Sequence, residues 1–593
     1  MQLESIAEKF KEWTENEYFD SQTRSELLAL QVKEENEEIE DRFYTDLEFG
    51  TGGIRGVMGA GTNRINKYVI RKITQGLAET IQEEGPEAYQ RGVVIAYDSR
   101  HNSDQYALET ASVLTANFIK VYFFDSLRPT PELSFAVRYF KAIAGVNITA
   151  SHNPKEYSGY KVYWEDGGQI PPWKAKQIAE KIFANQGWQI PTSSKEEAYR
   201  RGLWHSIGRD IDEAYGREVK NQLLNPELAK TWGSELKIVY TPLHGTGAKI
   251  VPEILKDLGF SSLFIVPEEE KPDGDFPTVK YPNPEDPLAF ERALAHAPEQ
   301  KADLILATDP DADRLGIYAR DKEGVYQRFT GNQIGVVLEY YLLSQRTKLK
   351  TMPSQPIIIK TVVTTELAEH LAHHYGAEVI NVLVGFKYIG EQIKKIQESG
   401  QGTFLLGFEE SHGYLTGTYA RDKDAIAAAA LLAEAALYYR KEENKTLPDV
   451  LEEILARFGY YGDEQYALTL EGREGKESIA KIMGIIRSAK PGMCGGLKVA
   501  RIDDFLTKRS YFPVTNKEGV LDSPELPPED VLRLCFQGGG FLIARPSGTE
   551  PKIRFYFCIK GENPQELKNT MERVKTDFLE LIEPCLPSQT VKI

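Results

Sequence analysis

The stretch Ala142-Ile143-Ala144-Gly145-Val146-Asn147-Ile148-Thr149-Ala150-Ser151-His152-Asn153-Pro154 decides how the chain is read. Its first seven residues form an apolar run of strand length. A run without polar alternation fits a strand covered on both faces, as in the parallel part of an α/β sheet. Pro154 has no N–H to give a ladder, so the strand is expected to stop there. Ser151 then lies at the carboxyl end of a strand, where open α/β sheets hold ligands. A serine in such a place is by itself more often a turn residue than a nucleophile. Three further loops, rich in charge and hydroxyls, shift that balance.

The chain has 593 residues, too many for one core, and its length suits three or four domains. With 41% hydrophobic and 27% charged residues it has the composition of an ordinary soluble globular protein. A net charge of -17 argues against a general nucleic-acid binder. It leaves room for a phosphorylated substrate, because local basic loops outweigh a distant global field. Cys494, Cys535, Cys558 and Cys585 are scattered without metal-ligand spacing and read as reduced core thiols of a cytoplasmic protein. Met1-Gln2-Leu3-Glu4-Ser5 opens a charged amphipathic helix and not a signal peptide. The apolar helix expected around Ala425 to Leu437 is interrupted by Glu434. It falls short of the roughly 20 residues of a membrane span, and reads as a packed core helix.

Phe49-Gly50-Thr51-Gly52-Gly53-Ile54-Arg55-Gly56 sets four glycines around one arginine. That is a tight loop that brings backbone close to a ligand, with Arg55 as anion donor, or else a turn with a solvated arginine. Arg91-Gly92-Val93-Val94-Ile95-Ala96-Tyr97-Asp98-Ser99-Arg100 reads as a strand ending in a polar loop; Asp98 and Arg100 are placed to brace the Ser151 loop, though a structural ion pair is a commoner role for such residues than catalysis. Lys161, in Gly159-Tyr160-Lys161, lies near Ser151 in sequence and either faces it or is a surface lysine. Asn225-Pro226 and Thr231 to Ser234 mark the approach to a second α/β unit, which starts at Leu236. Its turn Thr241-Pro242-Leu243-His244-Gly245-Thr246-Gly247 is a weak phosphate-binding signal.

The strand Ala302 to Thr308 delivers Asp309-Pro310-Asp311-Ala312-Asp313-Arg314. Carboxylates at alternating positions converge on one hard cation when the backbone curls. A calcium EF-hand does not fit: the sixth loop position is Arg314 where glycine is needed, and the twelfth is Arg320 where glutamate is needed. An aspartyl-phosphate hydrolase loop resembles it too, but here a serine loop already offers a phosphoryl carrier. A third α/β unit begins near Thr330. It carries Val384-Gly385-Phe386-Lys387, Gly407-Phe408-Glu409-Glu410-Ser411-His412-Gly413-Tyr414 and Tyr419-Ala420-Arg421-Asp422-Lys423-Asp424. Glu409 and Ser411 suit hydrogen bonds to sugar hydroxyls. From about residue 460 a last domain holds Arg545-Pro546-Ser547-Gly548-Thr549-Glu550-Pro551-Lys552-Ile553-Arg554, a compact phosphate cradle.

Taken together, the four loops resemble those of the α-D-phosphohexomutases, one signature per domain in the expected order over nearly the whole chain. The wording around Ser151 and Asp309 is most similar to the longer phosphoglucomutase branch, which includes phosphopentomutase-like relatives. The resemblance implies three similar mixed α/β domains plus a smaller C-terminal α+β domain around a central cleft. The expected boundaries are 1–215, 216–326, 327–458 and 459–593. It implies an intramolecular phosphotransferase of the isomerase class that interconverts glucose 1-phosphate and glucose 6-phosphate through a phosphoserine enzyme and glucose 1,6-bisphosphate. Phosphopentomutase, phosphomannomutase and glucose 1,6-bisphosphate synthase are alternatives on the same scaffold, and a non-catalytic sugar-phosphate sensor a remote one. Ser151 matches the phosphoryl carrier. Asp309, Asp311 and Asp313, with a phosphoserine oxygen of Ser151, match the Mg2+ ligands, and glucose 1,6-bisphosphate is the expected activator. Arg55, Lys161 and Lys423 match basic catalytic positions. Arg314 matches the arginine that supports the aspartate loop, Lys387 the lysine after the Gly-aromatic pair, and Glu409 and Ser411 the sugar-binding pair. Arg545, Ser547, Gly548 and Thr549 match the loop that grips the non-reacting phosphate, with Arg554 beside it. The implied partner is a phosphorylated sugar, with no nucleic acid and no membrane. One departure bears on sugar choice: where such relatives often have threonine, this chain has Val384.

Overall fold

The computed structural model describes residues 2–185, 187–470, 472–523, 525–547 and 552–586. Three helices, Gln2–Glu15, Ser21–Val32 and Asn36–Phe43, precede the first sheet. That sheet has six strands in the order Gly53–Val57, Tyr157–Trp164, Ala144–Ile148, Val93–Tyr97, Val121–Phe124, Trp204–Ile207. The central strand Val93–Tyr97 pairs in parallel with Val121–Phe124 on one side and with Ala144–Ile148 on the other. The chain therefore reverses direction across the sheet between Val93–Tyr97 and Ala144–Ile148, and the loops after these two strands open onto the crevice where such sheets bind ligands. All five residues of Ala144–Ile148 are buried, as the apolar run requires.

The second sheet repeats this plan in the order Tyr326–Phe329, Leu315–Arg320, Leu304–Thr308, Ile238–Thr241, Leu263–Ile265. Ile238–Thr241 has parallel neighbours on both sides, so the loops after it and after Leu304–Thr308 share a crevice in the same way. A third sheet has four strands, of which Pro356–Thr361 and Glu378–Val382 run parallel. The helix Gly331–Lys348 starts on a capping box between Thr330 and Gln333. The last sheet has eight strands, and every pairing in it is antiparallel. Residues of the helices Gly472–Ala489 and Pro564–Ile582 share its apolar core, which includes Phe555, Phe557 and Phe578.

By internal contacts the chain forms two units. One is Met1–Phe329 with Phe386–Gly407 and Ser411–Thr446; the other is Thr330–Gly385 with Phe408–Glu410 and Leu447–Ile593. The alanine-rich helix Ala425–Tyr438 is buried on nearly every side. Its Glu434 is not a break in the pattern: the carboxylate accepts the N–H groups of Leu224 (2.9 Å) and Asn225 (2.7 Å), the start of the helix Pro226–Trp232. Among the described residues, no helix is long and apolar enough to cross a membrane. The four cysteines are free thiols, three of them buried.

Candidate active site

The strand Ala144–Ile148 ends well before Pro154, so proline is not what stops it. Just past its end, the Thr149 N–H still donates to Gly159 O at 3.1 Å, and the Thr149 Oγ1 turns back to accept the Ser151 N–H at 2.8 Å. Ser151 then sits at φ 52, a left-handed conformation that costs a non-glycine residue about 1 kcal/mol or more. Arg100 holds it there. One guanidinium nitrogen donates to Ser151 O (2.6 Å) and to Asn153 O, the other to Pro154 O (2.7 Å) and Tyr157 O (3.0 Å). Asp98 pairs with Arg100 at 3.3 Å and accepts the Ser103 hydroxyl at 2.7 Å. The Asp98–Arg100 pair is thus both a structural ion pair and the brace of the Ser151 loop. Arg55 reaches the same loop by donating to Asn153 Oδ1 at 2.8 Å. The glycine run leading to it is there for close approach: a Cβ on Gly53 would lie 1.9 Å from Tyr160 O.

The aspartate loop follows the buried strand Leu304–Thr308. Asp309 folds back so that its Oδ1 accepts the N–H groups of Asp313 (3.1 Å) and Arg314 (3.0 Å). Its Oδ2 accepts the Ser151 hydroxyl at 2.9 Å, which joins the loops of the first two sheets. Asp311 Oδ2 accepts from Thr130 Oγ1 (2.8 Å) and Lys161 Nζ (2.7 Å). Asp313 Oδ2 lies 3.2 Å from Lys423 Nζ and 3.5 Å from Lys161 Nζ. The turn Thr241–Gly247 proves to be a buttress: Thr246 N–H donates to Pro310 O at 2.8 Å, and a Cβ on Gly245 would lie 2.4 Å from Pro310 Cα.

The three carboxylates are buried, with ligand atoms within 4.8 Å of one another. Burial, then the neighbouring Asp311 and Asp313 charges, push the Asp309 carboxyl well above the usual carboxylate range. Burial acts the same way on Asp311, but the Lys161 ammonium overrides it and holds that carboxyl far below the range. Among the described residues, Asp311 Oδ1 and Asp313 Oδ1 are buried with no hydrogen-bond partner; Arg314 Nε is 3.9 Å from the latter. Clustered hard oxygens, some left unbonded and out of water, suit a divalent cation such as Mg2+ or Ca2+.

Lys423 is itself oriented. Asp422 Oδ1 accepts its Nζ at 3.0 Å, while Asp422 Oδ2 accepts Tyr163 OH (2.9 Å) and Gln169 Nε2 (3.2 Å). Leu315 N–H donates to His412 O at 3.0 Å, tying the Ser411–Gly413 turn to the end of the aspartate loop. Lys387 lies in the first turn of the helix Phe386–Ser399, with its ammonium 5.0 Å from the Tyr388 ring centre.

In the second unit, Glu409 is buried at the end of the strand Thr403–Glu409. Arg545 and Arg554 face each other across adjacent antiparallel strands. Like charges in direct register repel unless an anion lies between them or near them. Arg545 Nε donates to Glu529 at 2.9 Å, and Ser547 N–H to Lys552 O at 2.7 Å. Gly548 and Thr549, also expected in this loop, lie outside the described residues.

Three family models match in chain order: phosphoglucomutase/phosphomannomutase alpha/beta/alpha domain I over residues 46–187, domain II over 213–324 and domain III over 330–458. The chain belongs to this phosphohexomutase family. It is 38% identical over 533 residues to a phosphoglucomutase of Staphylococcus haemolyticus, spanning 89% of this chain and 93% of that one. It is 39% identical over 552 residues to a phosphoglucomutase of Staphylococcus epidermidis, spanning 92% and 97%. Two solved structures share the fold. A putative phosphomannomutase from Thermus thermophilus aligns with TM-score 0.66 at 23% identity, covering 90% of this chain and 99% of that one. The open form of a Paramecium phosphoprotein, itself a phosphoglucomutase, aligns with TM-score 0.67 at 18% identity, covering 93% and 98%.

Within this phosphohexomutase, one unit brings together Ser151, the three aspartates, Lys161, Lys423, Arg55 and Arg314. Sequence reasoning missed the residues that orient them. Thr149 carried a signal, a hydroxyl two places before a turn residue. Thr130, Asn147, whose amide donates to Thr130 Oγ1 at 2.7 Å, and Glu285, which pairs with Arg314, carried none, because each meets its partner only through the fold.

Proposed function

We propose that the chain interconverts glucose 1-phosphate and glucose 6-phosphate, with Ser151 as phosphoryl carrier and glucose 1,6-bisphosphate as intermediate and activator. The observation that carries this reading is the Ser151 hydroxyl 2.9 Å from Asp309 inside a buried carboxylate triad, against which Lys161 and Lys423 are pressed. Phosphorylated Ser151 gives its group to the free hydroxyl of a hexose monophosphate. The bisphosphate turns over without leaving, and its other phosphoryl group returns to the serine oxygen. Asp309, Asp311, Asp313 and a phosphoryl oxygen on Ser151 are the ligands we assign to Mg2+. Bound there, the ion neutralises charge at the serine phosphate and makes the serine oxygen a better leaving group.

Lys161, Lys423 and Arg55 supply fixed positive charge for the three equatorial oxygens of the transferring group. Arg100 and Thr149 keep the serine aimed, which limits the motion lost on reaching the transition state. Glu409 and Ser411 are assigned to sugar hydroxyls, with Lys387 nearby in sequence. Arg545, Ser547, Gly548, Thr549 and Arg554 are assigned to the phosphate that does not react. The segments 1–215, 216–326, 327–458 and 459–593 are proposed as the four domains; the family matches over 46–187, 213–324 and 330–458 support the first three.

Side-by-side turnover of glucose 1-phosphate, mannose 1-phosphate and ribose 1-phosphate tests the assignment. A kcat/KM at least tenfold higher for glucose 1-phosphate is expected, and preference for the pentose would sink it. Ser151→Ala is expected to keep its fold, to show no phosphate by intact-mass spectrometry, and to lose turnover by at least about 1000-fold. An unchanged rate in that variant excludes the carrier role.

A further inference from the structure

Residues 266–286 join the strand Leu263–Ile265 to the turn Pro287–Phe290 with no helix or strand of their own. Connections of this length inside compact domains are uncommon and tend to carry function. This one is pinned at its start, where buried Glu269 accepts the hydroxyls of Thr241 and Thr278. At its end, Glu285 pairs with Arg314, whose backbone N–H donates to Asp309. Between these anchors it meets the other side of the site. Asp275 lies 3.2 Å from Lys155 and 3.3 Å from His101, and a Cβ on Gly274 would be 2.6 Å from His101 N. Phe276 is buried at φ 44, a left-handed conformation strained for a bulky residue, and its ring centre lies 5.0 Å from Arg100 Cζ. Strain of this kind persists where the surrounding structure over-determines it, commonly near functional sites.

We propose that Phe276 is a positioning residue for phosphoryl transfer: its ring fixes the plane of the Arg100 guanidinium, and through it the left-handed backbone of Ser151. The guanidinium is flat and its donors lie in its plane. Those directed at the Ser151 loop go to four carbonyls, of Ser151, Asn153, Pro154 and Tyr157. In-plane bonds resist sliding but resist tilting weakly, and a stacked aromatic face supplies the missing restraint. Without the ring the guanidinium tilts, the bond to Ser151 O lengthens, and the serine relaxes from its strained φ. Its oxygen then drifts from Asp309 and from the cations around the triad. A misplacement of about 1 Å at a reacting atom costs about 100-fold in rate.

This inference rests on Ser151 being the phosphoryl carrier, so the test measures the parent chain first. Parent enzyme that neither turns over glucose 1-phosphate nor gains phosphate on Ser151 from glucose 1,6-bisphosphate overturns the functional reading itself. Given an active parent, Phe276→Ala and the milder Phe276→Leu are compared with Phe276→Tyr, which keeps the ring. The expected result is a kcat 10- to 100-fold lower for Ala, an intermediate loss for Leu, and near-parent activity for Tyr, each with KM within about twofold of the parent. The rate at which dephosphorylated Ser151 gains phosphate from glucose 1,6-bisphosphate, followed by intact mass, is expected to fall in Ala and Leu and to stay near the parent's in Tyr. A folded Leu variant with parent kcat and a parent rate of Ser151 phosphorylation overturns the proposal. So does a loss in KM alone, which marks a binding defect.

Discussion

At the scale of single residues, the site is a problem of charge out of water. Three carboxylates are buried within a few ångströms, and Lys161 reaches two of them. Removing one partner of a buried pair typically costs about 3–5 kcal/mol, because the other charge is left uncompensated. Lys161→Met is therefore expected to lower the melting temperature clearly and kcat by about 100-fold or more. Mg2+ is expected to recover more of that lost stability in the variant than it adds to the parent, since the cation replaces part of the missing charge. Differential scanning fluorimetry of both proteins with and without Mg2+ checks this; equal shifts would show that Lys161 does not serve the triad. The same reasoning separates what was legible here. Carboxylates at alternating positions after an apolar run announce a metal loop on their own. That Lys161 and Lys423 answer that loop, and that Thr130 and Asn147 support it, follows from contacts between positions far apart in the chain.

Among the elements, the helix Ala425–Tyr438 shows how one cap serves packing and site together. Asp424 Oδ1 accepts the N–H groups of Ile426 and Ala427, both at 2.9 Å, and its Oδ2 accepts the hydroxyls of Tyr215 (2.8 Å) and Tyr419 (2.6 Å). Loss of a side-chain cap costs about 1 kcal/mol, and each hydroxyl left buried without a partner about 1–3 kcal/mol more. Asp424→Ala is expected to destabilise by about 3 kcal/mol or more in urea unfolding, and Asp424→Asn to recover about 1 kcal/mol of it, because the amide oxygen still accepts the two helix N–H groups while its NH2 cannot accept the tyrosine hydroxyls.

The strand Tyr460–Thr469 gives the opposite case, a carboxylate that opposes stability. Burial raises the Asp463 carboxyl to about 6, against weaker lowering by hydrogen bonds from Cys558, Asn332 and Thr365. A raised acid binds its proton more tightly folded than unfolded. Its contribution is present at low pH and is lost as pH rises from the unfolded value near 3.8 through the folded value near 6. Asp463→Asn is therefore expected to gain stability over the parent between about pH 4 and 6, levelling above that at up to about 3 kcal/mol. A difference that is flat across this range would show that the carboxyl titrates normally.

For the whole molecule, the two sheets of the first unit share one plan: a central parallel strand, a reversal across it, and functional loops on both sides of the reversal. A cation bound only by the folded triad stabilises the fold by mass action, about 2.7 kcal/mol at 100 times its dissociation constant. Chelation is expected to abolish turnover and lower the melting temperature, and Mg2+ to restore both. Full turnover after exhaustive chelation would remove the metal from the reading.

The sequence by itself determined the α/β class, the order of the four loops and the residue types in them. Apolar runs, turn residues and clustered charge are local patterns, written by the chain's own period and side-chain chemistry. It also carried the expectation that Pro154 ends its strand; the strand stops at Ile148 instead, and the chain turns through the hydrogen bond from Ser151 N–H to Thr149 Oγ1 well before the proline. Only the tertiary structure decided that Ser151 is held left-handed by Arg100, that the His244–Gly245 turn is a buttress for Pro310, and that Glu285 and Phe276 reach the site from one long connection. Each depends on loops brought together by strand order, and strand order is set by the burial of whole sheets rather than by any neighbouring residue.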